Sequence, residues 1–316
     1  MKSRIKIALL LISLLAAALV VALAVGSEKI SFSDMSAQES AILFDIRMPR
    51  VFLAACVGAS LAAAGAGLQA LLRNPLAEPY LLGVSNGAAL GTMLGFVVFG
   101  QYAIARPIFA FAGAGLASAV VFQMAKSRSG MNVERLVLSG VIVTTFLSSV
   151  IVLLTTLLDA ARLRSFTFWL LGDLSQATYQ GFYLTLIAAI VGTTAIASQS
   201  RALNLMMIGE RDALDFGVEV SRVRLIVFGA ASGLVGTAVA ASGSVGYVGL
   251  IVPHLLRLAI GSDNRLIVPF SAVAGAIFVV FADTLARTVI APRELPVGAI
   301  TALIGAPMFI YLLRKN

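Results

Sequence analysis

Cysteine, histidine and tryptophan each occur once in this chain of 316 residues. The lone cysteine, Cys56, excludes an internal disulfide and any metal site built on several thiolates. The lone histidine, His254, excludes paired-histidine zinc chemistry by counting, and a packing or surface role suits it better than catalysis. Charged residues make up only 12% of the chain, against about 25% in soluble globular domains. No polar stretch is long enough to fold as a sizeable soluble domain. No G-x-x-x-x-G-K-[ST] run occurs, so the chain cannot cradle nucleotide phosphates in that way.

What is abundant is apolar sequence, at 59% of residues. A span needs roughly 20 mostly apolar residues to cross about 30 Å of hydrocarbon. Ten runs are candidates: 5–25, 51–72, 80–100, 107–125, 135–158, 181–199, 223–243, 246–261, 266–287 and 296–313. The eighth is short and interrupted by Pro253, and the third is only moderately apolar. Residues 1–26 begin like a secretory signal, with Lys2, Arg4 and Lys6 before an apolar core. That core is about 20 residues long and lacks a convincing small-x-small cleavage site followed by a mature domain, so it reads as a retained first span.

The basic residues give a direction. With the N-terminus inside, 15 of the 23 Lys and Arg residues fall in cytoplasmic loops, which predicts both termini inside and an even number of spans. The net charge of +8 belongs to loops facing anionic lipid rather than to a nucleic-acid footprint. Small residues crowd the spans, among them Gly58, Gly65 and Gly67 and the trio Gly229, Gly233 and Gly236. Lipid gives helices no hydrophobic drive to associate, so close backbone packing takes over. These glycines therefore read as packing positions. Segments 57–67 and 228–238 are weakly alike, as in carriers built from repeats.

Charges are nearly absent from the middle of the spans. Asp283 and Asp159 both fall towards outer ends. A carrier driven alone by an ion gradient would keep an ionisable group near the midplane, and an intramembrane enzyme would need a polar catalytic set. Neither is evident. The longest inner loop, residues 200–224, mixes Met206, Met207, Ile208, Leu214, Phe216 and Val218 with Glu210, Arg211, Asp212 and Asp215. A short amphipathic helix over residues 211–216, stopped by Gly217, is expected there, suited to docking a soluble partner. On the outer side Arg47 and Arg50 flank Pro49, Arg287 follows Asp283, and Arg293 adjoins Glu294. Guanidinium forks bind carboxylates, so such a patch suits an acidic partner or an anionic solute.

RMPR (47–50), QALLRNPLAEPYLLGVSNGA (69–88), GERDALDFGV (209–218), GYVGLIVPHLLR (246–257), ADTLAR (282–287) and ELPVGAITALIGAPMFIYLLR (294–314) together resemble the FecCD family, the permease subunits of type II ABC importers for iron–siderophore complexes, haem and cobalamin. The resemblance runs over nearly the whole chain. It implies an all-α polytopic membrane protein of about ten transmembrane helices, a single permease domain over 1–316. The same resemblance implies a homodimer in the bacterial cytoplasmic membrane, ABC ATPase subunits below and an extracytoplasmic solute-binding protein above. This chain would then bind no cofactor, ATP and Mg belonging to the ATPase.

Carried over residue by residue, Arg47, Arg50 and Arg287 match arginines that meet acids of the binding protein. Gly209, Glu210, Arg211, Asp212, Ala213, Leu214, Phe216 and Gly217 match the segment that couples to the ATPase. Charge reversal at Arg47 and Arg50 is then expected to weaken docking and spare membrane insertion. The cargo implied is a metal chelate, a ferric siderophore first and cobalamin or haem as alternatives. An ion-coupled carrier working alone is the alternative of another class. Asp173 stands where many relatives carry a small residue, and nothing near Met131–Val133 matches well enough to assign a gate.

Overall fold

The computed structural model describes residues 2–26, 28, 30, 34–99, 105–127 and 130–315. Helix α1 covers Lys2–Ala24. Helix α2, Ala37–Ala41, runs through a π-helical stretch, Ile42–Arg47, into α3, Met48–Leu71. A 3-10 turn, Pro79–Leu82, precedes α4, Val84–Phe99, and α5 is Ala105–Ala125. Two-residue antiparallel strands, β1 Lys126–Ser127 and β2 Gly130–Met131, lead to α6, Val133–Thr155. Then follow α7, Ala160–Leu170, α8, Tyr179–Ser198, α9, Ser200–Ile208, and α10, Glu210–Asp215. The chain closes with α11, Val220–Ser242, α12, Val248–Ile260, α13, Asn264–Thr288, and α14, Val297–Lys315.

Among the described residues, seven helical runs are long and apolar enough to cross a membrane, and three shorter apolar helices, Val84–Val98, Val248–Ile260 and Val297–Leu312, complete the ten expected. Three boundaries differ from expectation. The second span starts at Ala37, because a Ser36–Glu39 capping box opens a helix that continues into α3. The stretch between the fifth and sixth spans holds α7, whose first turn is capped by Asp159 accepting from the Arg162 N–H at 2.9 Å. The 200–224 loop is largely helical, as α9 and α10.

The middle of the bundle is α3. The most apolar stretch of its run is 83% buried, against 6% for α1, which lies at the periphery. Ala62, Ala63, Ala64 and Ala66 are fully enclosed, and α3 packs on α13, α11, α8 and α12. Small residues allow the approach. A Cβ on Gly58 would overlap the Gly275 carbonyl of α13, and one on Gly65 would overlap the Gly249 carbonyl of α12.

Pro253 does not break α12. Proline supplies no N–H to the carbonyl four residues back, which here is that of Gly249. Gln69 of α3 donates Nε2 to the Leu250 carbonyl at 3.0 Å and to that of Gly249 at 3.4 Å. A neighbouring helix thus satisfies the freed group, the condition under which proline is tolerated in lipid.

Overpacking costs about 1–3 kcal/mol. Gly65→Ala should therefore lower the melting temperature of the detergent-purified protein. Gly115→Ala should not, because a Cβ there meets nothing within 4 Å. Equal melting temperatures for the two variants would refute the backbone-contact account.

Candidate functional site

At the N-terminal end of α3, five charged side chains from three segments meet. Arg50 donates Nε to Asp283 Oδ1 at 3.0 Å and Nη1 to Glu294 Oε2 at 2.7 Å. Arg287, one helical turn beyond Asp283 on α13, pairs with Asp283 Oδ2 at 3.1 Å, at an angle short of a hydrogen bond. Helix α1 ends here, and the last carbonyls of a helix have no partner within it. Arg287 Nη2 takes that of Ala22 at 3.0 Å, Arg47 Nη1 takes that of Leu23 at 3.1 Å, and Arg47 Nη2 reaches that of Glu28.

The three arginines expected on the outer side lie beneath the surface. Arg47, Arg50 and Arg287 are only 4%, 5% and 3% exposed, and the hydrogen bonds given above run to groups inside the chain. Charge reversal at Arg47 and Arg50 would set a carboxylate beside Asp283 and remove the Arg47 bonds to the end of α1. Folding would not be spared. Only Glu294 in the cluster has a substantially exposed side chain, at 37%, with Arg293 exposed beside it.

The other end of the bundle carries α9 and α10. Gly209 is an extended joint between them, and Gly217, at φ 78°, ends α10 as the left-handed residue that glycine adopts without a Cβ penalty. Ala213 is buried and Glu210 accepts from Arg224 Nη2 at 2.8 Å, which seats the segment on α11. Ile208, Leu214 and Phe216 point outward, 76%, 54% and 75% exposed. Arg211, Asp212 and Asp215 are also exposed. The expected short helix is therefore present as an apolar knob ringed by charge.

A third feature escaped sequence reasoning. Where α11 stops, Tyr80 donates its hydroxyl to the Val245 carbonyl at 2.8 Å and accepts from the Val245 N–H at 2.9 Å. Glu78 accepts from the N–H of Tyr247 at 3.2 Å, and Tyr247 has φ 68°. Burial raises the Glu78 carboxyl above the usual range, against the pull of that hydrogen bond. Helices α4 and α12 start beside this break, and α14 starts where Val297 N–H donates to the Gly172 carbonyl at 3.0 Å. Asp173 belongs to the same layer, with its N–H on the Ser242 carbonyl at 2.8 Å and its carboxylate accepting from Ser175 N–H at 2.7 Å. The sequence held Glu78 and Tyr80 within the run 69–88 and Tyr247 within 246–257, quoted above only as marks of the resemblance, and nothing local links the two runs.

His254 packs edge-on against Phe309, and Cys56 is buried. No group of three metal-ligating side chains occurs among the described residues.

A central small-residue helix, interrupted spans and an exposed apolar knob at one end define a polytopic membrane protein of closely packed helices. The FecCD transport family model matches residues 11–315, and the chain belongs to that family. It is 38% identical over 312 residues to the vitamin B12 import system permease protein BtuC of Vibrio cholerae, covering 97% of this chain and 93% of that protein. It is 40% identical over 277 residues to the iron(3+)-hydroxamate import system permease protein FhuB of Bacillus subtilis, covering 87% of this chain and 72% of that one. Among solved structures, an inward-facing metal-chelate type ABC transporter superposes with TM-score 0.90 at 32% identity, covering 98% of this chain and 99% of that one.

Removing one partner of a buried ion pair costs about 3–5 kcal/mol, so Asp283→Ala should destabilise the protein on that scale. Glu294→Gln should cost at most about 1 kcal/mol, as expected for a half-exposed pair. Denaturant unfolding in detergent compares them; equal losses would refute the assignment of Asp283 as the core of the cluster.

Proposed function

We propose that the chain is the permease subunit through which a metal chelate, a ferric siderophore first among the candidates, enters across the bacterial cytoplasmic membrane. Two copies form the path, and ATP with Mg is bound and hydrolysed on separate ATPase subunits. The observation that carries this reading is the knob at Ile208, Leu214 and Phe216. Large apolar side chains held outward on a braced helix end are expensive to leave in water, and a soluble partner relieves that exposure. The acids Asp212 and Asp215 beside them disfavour an anionic lipid surface as the alternative cover. The hydroxamate-importing relative and the metal-chelate transporter support the siderophore reading. The vitamin B12 relative keeps cobalamin as the second reading, and haem is the remaining comparison.

At the Arg50 end a solute-binding protein docks from outside, with both termini of this chain on the cytoplasmic side. Arg47, Arg50 and Arg287 serve docking from beneath the surface, by fixing the ends of α1, α3 and α13. An acidic group of the partner reaches Arg50 by exchanging with Glu294, the one partly exposed carboxylate in the cluster.

Replacing residues 210–215 with a Gly/Ser linker should abolish both co-purification of the ATPase and ATP-driven uptake in vesicles. Normal assembly and uptake would refute the coupling role. Offering ferric hydroxamate, cobalamin and haem to the wild-type complex with its binding protein identifies the cargo, and uptake without ATP would instead favour an ion-driven carrier. Glu294→Gln removes the competing carboxylate and should tighten binding-protein docking several-fold. Weaker docking would mean that Glu294 orients Arg50 rather than competing for it.

A further inference from the structure

Four helices meet in one hydrogen-bonded joint near the α10 end. Asn204 of α9 donates Nδ2 to Asp263 Oδ1 at 2.8 Å. Its Oδ1 accepts from the backbone N–H of Asn264 at 2.9 Å and from Asn264 Nδ2 at 2.8 Å. Asn264, the first residue of α13, is fully buried and turns its own Oδ1 to Arg257 Nη2 of α12 at 2.9 Å. That same nitrogen donates to the Ala66 carbonyl of α3 at 3.1 Å. Ser200 Oγ at the head of α9 donates to the Asn264 carbonyl at 3.1 Å. A continuous polar chain therefore runs from α9 through α13 and α12 to α3.

Asn264 Nδ2 also reaches Met207 Sδ of α9 at 3.2 Å, and the buried apolar side chains of α9 are Leu203 and Met206. Apolar faces can slide by fractions of an ångström at little cost, whereas hydrogen bonds weaken steeply once their distance and angle are lost. In an interior of low dielectric a fully satisfied polar network also acts as a unit. Helix α10 packs on α9, and α12 begins at the break held by Glu78 and Tyr80. A displacement of α10 thus has a stiff route to a point deep in the bundle.

We propose that Asn204, Asn264 and Arg257 are positioning residues that transmit movement of the coupling segment to α12 and α3. The proposal rests on the reading that α10 docks on the ATPase. It adds the route by which that docking is felt at the break between α11 and α12.

The test uses the reconstituted complex with its ATPase, Cys56→Ser, and a reporter cysteine at Gly246, where a Cβ meets nothing within 4 Å. The probe is the rate of maleimide labelling at that cysteine, with and without Mg-ATP. With the joint intact, nucleotide should change the rate several-fold. Asn204→Ala and Arg257→Met should each abolish the change while ATPase co-purification and basal hydrolysis persist. Arg257→Lys, which keeps one donor for Asn264, should restore part of it. Asn204→Ala leaves the buried Asn264–Arg257 bond in place, so it remains informative if Arg257→Met fails to fold. An undiminished response in Asn204→Ala, or no nucleotide response with the joint intact, overturns the proposal. Loss of ATPase binding in the Gly/Ser variant of residues 210–215 reports separately on the docking reading.

Discussion

Hydrocarbon offers no partner to a backbone N–H or C=O, so each must be satisfied within the protein. Most of this structure follows from where its helices interrupt that rule. Pro253 frees a carbonyl of α12, and Gln69 of α3 takes it. The end of α11 exposes Val245, and Tyr80 meets both its N–H and its C=O. The end of α1 exposes carbonyls that Arg47 and Arg287 bind. The start of α13 is met by Asp263, whose carboxyl lies below the usual range. Partial burial opposes that shift and is outweighed by hydrogen bonds from Asn204 and the Arg265 N–H and by the charges of Arg265 and Arg4.

These bonds need close helices, which explains the small residues. Gln69 reaches α12 because Gly65 lets the Gly249 backbone lie against α3. The Gly58–Gly275 contact brings α3 and α13 together in the same way, and Arg50 then lies within reach of Asp283. Packing and polar satisfaction are thus one arrangement, with α3 as its axis.

The same constraint separates the two ends by chemistry. One end hides three arginines among two carboxylates and α1 carbonyls, leaving Glu294 as its partly exposed charge. The other end exposes Ile208, Leu214 and Phe216 on the segment joining α9 and α10, braced by Ala213 and the Glu210–Arg224 pair. On the proposed reading the binding protein exchanges for a carboxylate at the first end, while the ATPase covers apolar surface at the second.

Hydropathy alone made the ten apolar helices legible, because span length is a local property set by the thickness of hydrocarbon. Helix α10 was legible for a similar reason: a short amphipathic run and a stopping glycine lie next to each other in the chain. The family resemblance rested on equally local runs such as RMPR and GYVGLIVPH. Direction of side chains was not local. Arg287 turns inward because its acceptor is the carbonyl of Ala22, 265 residues away, and Arg50 because Asp283 lies 233 residues on. Pro253 read as a break because its compensating donor, Gln69, sits on another helix. The sequence by itself determined which segments enter the membrane and which knob leaves it; tertiary structure decided which charges are spent holding the bundle, because in lipid a polar group faces wherever its partner is brought.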